Sequence, residues 1–165
     1  MQVLWAPWRM AYIRGEERGD EPCIFCRATE GEARARLLLG ATRHSVVLLN
    51  RYPYASAHVM VAPRRHTAAL PELPEDEHRD LAETLRRSLA SLSTAVQPDG
   101  MNIGMNLGRC AGAGVEDHLH WHLVPRWRGD TNFMPVLADV RVMPEHLEAT
   151  WERLRPAFSW LAQGA

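Results

Sequence analysis

Three histidines alternate with large apolar residues in His118-Leu119-His120-Trp121-His122-Leu123-Val124. Side chains of an extended chain point alternately to opposite faces. A strand here therefore carries His118, His120 and His122 on one face and Leu119, Trp121 and Leu123 on the other. A helix would scatter the histidines around its cylinder. Imidazoles have an unperturbed pKa of ~6.5, so three in a row repel one another once charged. Thr or Val would serve a purely structural strand, whereas an aligned row of titratable groups is the arrangement of an active site.

Two chemistries can use such a row. In a metal site, His-x-His would supply two ligands. At a rise of roughly 3.3 Å per residue, however, His118 and His122 start about 13 Å apart. Zn–N bonds are about 2.0–2.1 Å, so three rings so spaced do not converge on one ion. In phosphoryl transfer, a neutral imidazole attacks phosphorus while protonated neighbours hold the surrounding oxygens. A strand would fix the three rings at regular intervals along a polyphosphate.

Two further motifs carry chemistry. Cys23-Ile-Phe-Cys26 reads as a redox pair, half of a zinc site, or coincidence. No strand–turn–helix unit of thioredoxin type surrounds it. Zinc requires two more ligands, and with no second Cys pair these must be histidines. Upstream of the triple-His strand, Gly108-Arg-Cys-Ala-Gly-Ala-Gly114 is rich in small residues that let backbone N–H groups approach a phosphate. Cys110 within it is incidental.

The elements that must position these groups follow from pattern. Leu37–Leu39 and Ser45–Asn50 read as buried strands broken at Gly40–His44. Asn50–Tyr54 is a turn because Pro53 stops pairing, and Ala57–Ala62 is a strand closed by Pro63. Pro74-Glu-Asp-Glu77 opens a long helix with acids at its positive end and a core stripe of Leu81, Leu85, Leu89, Leu92 and Val96. Its charged face, with Arg86 and Arg87, is solvated. Met101–Leu107 is a strand, and 144–155 a second helix striped by Leu147, Trp151 and Leu154, which Pro156 kinks or ends. Phe158, Trp160 and Leu161 then need cover from the core or from a second subunit. Strands and helices in this order predict an α+β fold, a mostly antiparallel sheet with helices on one face.

The chain has 165 residues, one domain's length, and a formal net charge of −1. Near-neutral charge argues against nucleic acid or a membrane surface as partner, so any anion site must be local. All its basic residues are Arg. It has no signal peptide or long apolar run, and its three cysteines fit a reducing cytoplasm.

His118-Leu-His-Trp-His-Leu-Val matches all seven positions of the signature His-φ-His-φ-His-φ-φ, φ being apolar. It resembles the histidine-triad (HIT) superfamily of nucleotide hydrolases and transferases. Trp5-Ala-Pro-Trp-Arg and Pro125-Arg-Trp-Arg-Gly-Asp-Thr-Asn-Phe-Met-Pro135 are similar to a bacterial branch related to diadenosine tetraphosphate phosphorylases. The resemblance implies a five-stranded HIT-like sheet with two main helices over residues 23–165. Residues 1–22 would be an extension packed on the domain or on a dimer partner. It implies a homodimer that cleaves a nucleotide or dinucleoside polyphosphate, with His120 as nucleophile, His118 and His122 flanking it and His58 beside the row. Asn50 corresponds to a ribose contact, a role to weigh against simple turn capping. The phosphate loop of the family, typically Gly-Gln-Ser, is replaced by Ala-Gly-Ala-Gly-Val. Asn106, Gly112, Ala113 and Gly114 are then the candidate phosphate contacts, with Arg109, Arg126 and Arg128 as nearby positive charge. In zinc-bearing relatives a Cys-x-Phe-Cys pairs with two histidines whose counterparts are His66 and His118, giving a structural zinc set of Cys23, Cys26, His66 and His118. The acceptor, inorganic phosphate or water, stays open, with phosphorolysis favoured. Hydrolysis of dinucleoside polyphosphates or nucleoside phosphoramidates is the alternative. A nucleotide-binding regulator with little catalysis and a metallohydrolase are readings from other classes.

Overall fold

The structure is a computed structural model that describes residues 23–130 and 145–162. The segment at 1–22 and the Thr131–Pro135 part of the bacterial-branch match lie outside the described residues.

Five strands form one antiparallel sheet: β1 (Leu38–Ala41), β2 (Ser45–Leu49), β3 (Val59–Pro63), β4 (Gly100–Met105) and β5 (Trp121–Arg126), in the order β1-β2-β3-β5-β4. Helix α1 (Glu75–Val96) connects β3 to β4, and α2 (Leu147–Leu154) follows β5. Leu81, Leu92 and Val96 of α1, with Trp151 and Leu154 of α2, pack on Leu39, Val47, Val59, Val61, Leu119 and Leu123. This apolar layer is the main core, as the helical stripe predicts. The opposite face is covered too. Phe25 and Ala28 from the turn at Cys23–Ala28 lie over Leu38, Val46, Leu48, Met60 and Ala62. Because β1–β3 are buried on both faces, their sequences run apolar without alternation.

Several expectations are corrected. Gly40 does not break the first strand; it lies inside β1, paired with Val47, directly after a bulge between Leu38 and Gly40. Its φ is +152°, and a Cβ there would collide with the Leu161 Cβ, so a side chain is excluded on both counts. That closeness lets Ala162 bridge to Ala41. Pro63 is the last residue of β3 rather than a stop outside it. Pro74 caps α1 from outside. The C-terminal apolar residues find cover within the chain. Phe158 and Leu161 are in the core, Trp160 Nε1–H donates to Ser91 Oγ at 2.9 Å, and the Arg87 guanidinium sits 4.0 Å over the Trp160 ring. Arg87 is thus a packing residue, and the Trp160 region has no need of a second subunit.

Strand β5 begins at Trp121, later than the sequence pattern suggests. His118–His120 run into it but leave the ladder, where the Leu119 N–H donates to the Thr67 carbonyl at 2.8 Å instead. The alternation survives this departure. Leu119 and Leu123 enter the helix-side core, and His122 pairs with Met60, which belongs to the face under Phe25.

Candidate active site and metal cluster

The three histidines are buried under the Cys23–Ala28 turn, with exposures of 0% for His118, 3% for His120 and 8% for His122. The Phe25 ring lies 5.0 Å from His118 and 4.8 Å from His120. His120 meets His122 edge-on at 4.7 Å. Buried rings need partners for their nitrogens, and those partners decide each tautomer.

His120 Nδ1 lies 2.9 Å from the His118 carbonyl. A carbonyl only accepts, so Nδ1 carries the proton, and in the neutral ring Nε2 keeps a bare lone pair. Burial lowers the His120 pKa below its ordinary value despite that hydrogen bond, which favours the neutral, nucleophilic form. His58 Nδ1 accepts the Tyr54 backbone N–H at 3.1 Å. Its Nε2–H therefore donates to His122 Nδ1 at 3.0 Å. In neutral His122 the proton then sits on Nε2. Burial first, and repulsion from His120 second, push His122 down to about 4.

A second cluster adjoins the row. His118 Nε2–H donates to the Pro63 carbonyl at 2.8 Å, so its Nδ1 presents a lone pair. That atom lies 3.3 Å from Cys23 Sγ, 3.6 Å from Cys26 Sγ and 3.2 Å from His66 Nδ1, and Cys26 Sγ lies 3.2 Å from His66 Nδ1. All four ligand atoms fall within 4.8 Å of one another. A tetrahedral S2N2 zinc with bonds of ~2.0–2.3 Å has ligand–ligand edges of roughly 3.3–3.8 Å, so the four residues fit such an ion. Burial holds His118 down to about 4, which keeps its ring neutral for ligation. Arg65, next to His66, is clamped on Glu77 of α1 by paired hydrogen bonds that include Nε to Oε2 at 2.9 Å. This fastens the segment that delivers His66.

The predicted phosphate contacts fare less evenly. The loop from Gly108 folds into a 3-10 turn at Arg109–Ala111. The Gly112 N–H is bonded to the Arg109 carbonyl at 3.0 Å and the Ala113 N–H to the Gly108 carbonyl at 3.3 Å. Those two amides are therefore spent inside the loop, and Ala113 is buried. Asn106 Nδ2 donates to the Gly112 carbonyl at 3.3 Å and so shapes the loop. Gly114 is half-buried between it and the row. Asn50 does cap its turn, with Oδ1 accepting the Tyr52 N–H at 2.9 Å, and its Nδ2 also lies 3.4 Å from His58 Nδ1. Arg126 is at the far end of β5, six residues or about 20 Å along the chain from His120. Its guanidinium is held by Asp130 at 2.5 Å and 2.9 Å and by Asn102 at 3.0 Å. Arg126 is thus not part of the site. The Arg128 backbone N–H is bonded to Asp99 at that same end.

Sequence reasoning missed Phe25 and Tyr54. Phe25 sits inside a Cys pair that drew attention for its sulfurs alone. Tyr54 passed as a turn residue, yet its ring lies 4.6 Å from His58 and 5.5 Å from His122.

A family model described as the HIT domain matches residues 31–129. The chain belongs to the HIT-domain family. It is 32% identical over 170 residues to a protein of Mycobacterium tuberculosis named AP-4-A phosphorylase, covering 99% of this chain and 86% of that one. It is also 32% identical over 108 residues to an adenosine 5'-monophosphoramidase of Candida albicans, over 63% of this chain and 70% of that one. Among solved structures, a histidine-triad nucleotide-binding protein of Sulfolobus tokodaii superposes with a TM-score of 0.66 at 28% identity, covering 83% of this chain and 92% of that one. A Zn-bound histidine-triad protein of Mycobacterium smegmatis gives 0.65 at 26% identity, covering 86% and 96%. The HIT-like fold and the class of nucleotide hydrolase or transferase follow, so this HIT chain is an enzyme. None of its described helices is long and apolar enough to cross a membrane.

Proposed function

We propose that this enzyme cleaves dinucleoside polyphosphates of the diadenosine tetraphosphate type through a nucleotidyl-histidine, and that phosphate rather than water completes the reaction. The observation that carries this reading is the hydrogen bond from His120 Nδ1–H to the His118 carbonyl at 2.9 Å, which leaves Nε2 as the reacting lone pair. His120 Nε2 attacks the α-phosphorus, a P–N bond forms and the P–O bond to the remaining polyphosphate breaks. His122 Nε2–H stabilises the departing oxygen, and His58 holds His122 in that tautomer. An acceptor oxygen then displaces His120 from phosphorus and returns its neutral ring. Support for phosphorolysis comes from the mycobacterial AP-4-A phosphorylase, similar along nearly the whole chain. The bound amides of Gly112 and Ala113 and the remote Arg126 offer the acceptor no support.

Zinc in this proposal is structural, held by Cys23, Cys26, His66 and His118. Four protein ligands close the coordination shell, so what the ion supplies is rigidity. His118 belongs to both clusters: its ring serves the ion and its carbonyl orients His120. The working unit is a homodimer. Among the described residues β4 is an edge strand, and it presents Ile103, 46% exposed, which suits it to a second chain.

Product analysis from diadenosine tetraphosphate in millimolar phosphate tests the reaction. ADP plus ATP, at a rate that rises with phosphate, is the expected result; AMP plus ATP independent of phosphate would reassign the acceptor as water. His120→Ala is expected to abolish turnover with the fold intact, and near-wild-type turnover by that variant would overturn the mechanism.

A further inference from the structure

Among the described residues the histidine row is closed at one end and becomes more exposed towards the other. At the His118 end lie the Cys23–Cys26 cluster and the buried Phe25 ring. Exposure then rises along the row, from 0% at His118 through 3% at His120 to 8% at His122. Beyond His122 comes His58, 5.1 Å away ring to ring, and then Tyr54, packed on both. Tyr54 is 40% exposed and Tyr52, in the same turn, 59%. A large aromatic ring therefore stands at the mouth of an otherwise buried row, with part of its surface on the imidazoles and part in solvent.

We propose that Tyr54 is the stacking surface for the second nucleoside of the substrate, the one that departs with the polyphosphate. The proposal rests on the reading of His120 as nucleophile and His122 as donor to the leaving oxygen. The leaving group then extends from His120 past His122, and the structure closes the other direction. A polyphosphate offers the protein only oxygens, so discrimination for a terminal nucleoside needs a group that meets a base. An exposed aromatic face does this with every base, because each has a π-face. The backbone of the turn is fixed by the Tyr54 N–H bond to His58 and the Asn50 cap on Tyr52, which pre-organises the ring.

Calorimetry in the His120→Ala background, which binds without turning over, tests this with two probes that share the transferred nucleotide. Diadenosine tetraphosphate carries the second nucleoside; adenosine 5'-tetraphosphate lacks it. Adding Tyr54→Ala is expected to weaken diadenosine tetraphosphate about tenfold, the lower part of the range for base–aromatic stacking, and to leave adenosine 5'-tetraphosphate within about twofold. Tyr54→Phe keeps the ring and is expected to bind both probes as the parent does. Equal weakening of both probes would assign Tyr54 to the transferred nucleotide or to holding His58, and no weakening of either would leave the ring outside the binding path. Both results overturn the proposal. Cleavage of diadenosine tetraphosphate by the His120→Ala parent would instead overturn the nucleophile assignment, independently of Tyr54.

Discussion

Acid should destabilise this fold through His122, by an amount the structure sets. The ring is buried, accepts a hydrogen bond from His58 and is pushed down to about 4, chiefly by burial. In the unfolded chain it returns to ~6.5. Between those values the unfolded state binds the proton and the folded state does not, so stability rises with pH there. The contribution of neutral His122 is fully present above ~6.5 and is lost as pH falls to about 4. A shift of that size corresponds to roughly 3 kcal/mol at 1.36 kcal/mol per pKa unit. His122→Gln removes the titration and keeps an acceptor for His58 Nε2–H. Urea denaturation of the wild type and His122→Gln at pH 7.5, 6 and 5, at equal metal content, isolates the effect, because the other histidines titrate in both proteins. The stability difference between the two is expected to move against the wild type by about 1.4 kcal/mol for each pH unit below 6.5. A difference flat across that range would refute the reasoning, since it would mean that His122 titrates alike in the folded and unfolded chains.

Protein purified without chelator is expected to hold one zinc per chain by elemental analysis and to lose it in the Cys23→Ser, Cys26→Ser double variant; metal retained by that variant would remove the assignment. Gly40→Ala forces a Cβ against Leu161 at a positive φ and should cost about 2–4 kcal/mol in thermal or urea unfolding, whereas a change below about 0.5 kcal/mol would show that the Ala41–Ala162 bridge relaxes freely. Arg126→Ala should leave kcat and KM for diadenosine tetraphosphate within about twofold, because its guanidinium is held by Asp130 and Asn102 at the far end of β5; a tenfold loss would return it to the site.

What the sequence determined by itself was the set of actors and the side of the sheet they occupy. Period two in His118–Val124 assigns the histidines to one face and Leu119 and Leu123 to the other, and that assignment survives even though the ladder begins only at Trp121. The stripe on α1 likewise names the core, since burying one helical face is a local consequence of spacing. The resemblance added the joining of Cys23 and Cys26 to His66 and His118. Tertiary structure decided what each imidazole is for, because a ring's tautomer depends on whichever donor or acceptor the fold delivers. The Pro63 carbonyl turns His118 Nδ1 toward the cysteines, the Tyr54 N–H makes His58 a donor to His122, and the His118 carbonyl bares His120 Nε2. It also decided which polar groups were already engaged: the Gly112 and Ala113 amides, the Asn50 cap and the Arg126 guanidinium all looked available as a list of residues. Spacing along a chain fixes direction, but hydrogen-bond partners come from distant segments, 64 residues away for His58 and His122 and 95 for Cys23 and His118, and only the packed sheet brings them together.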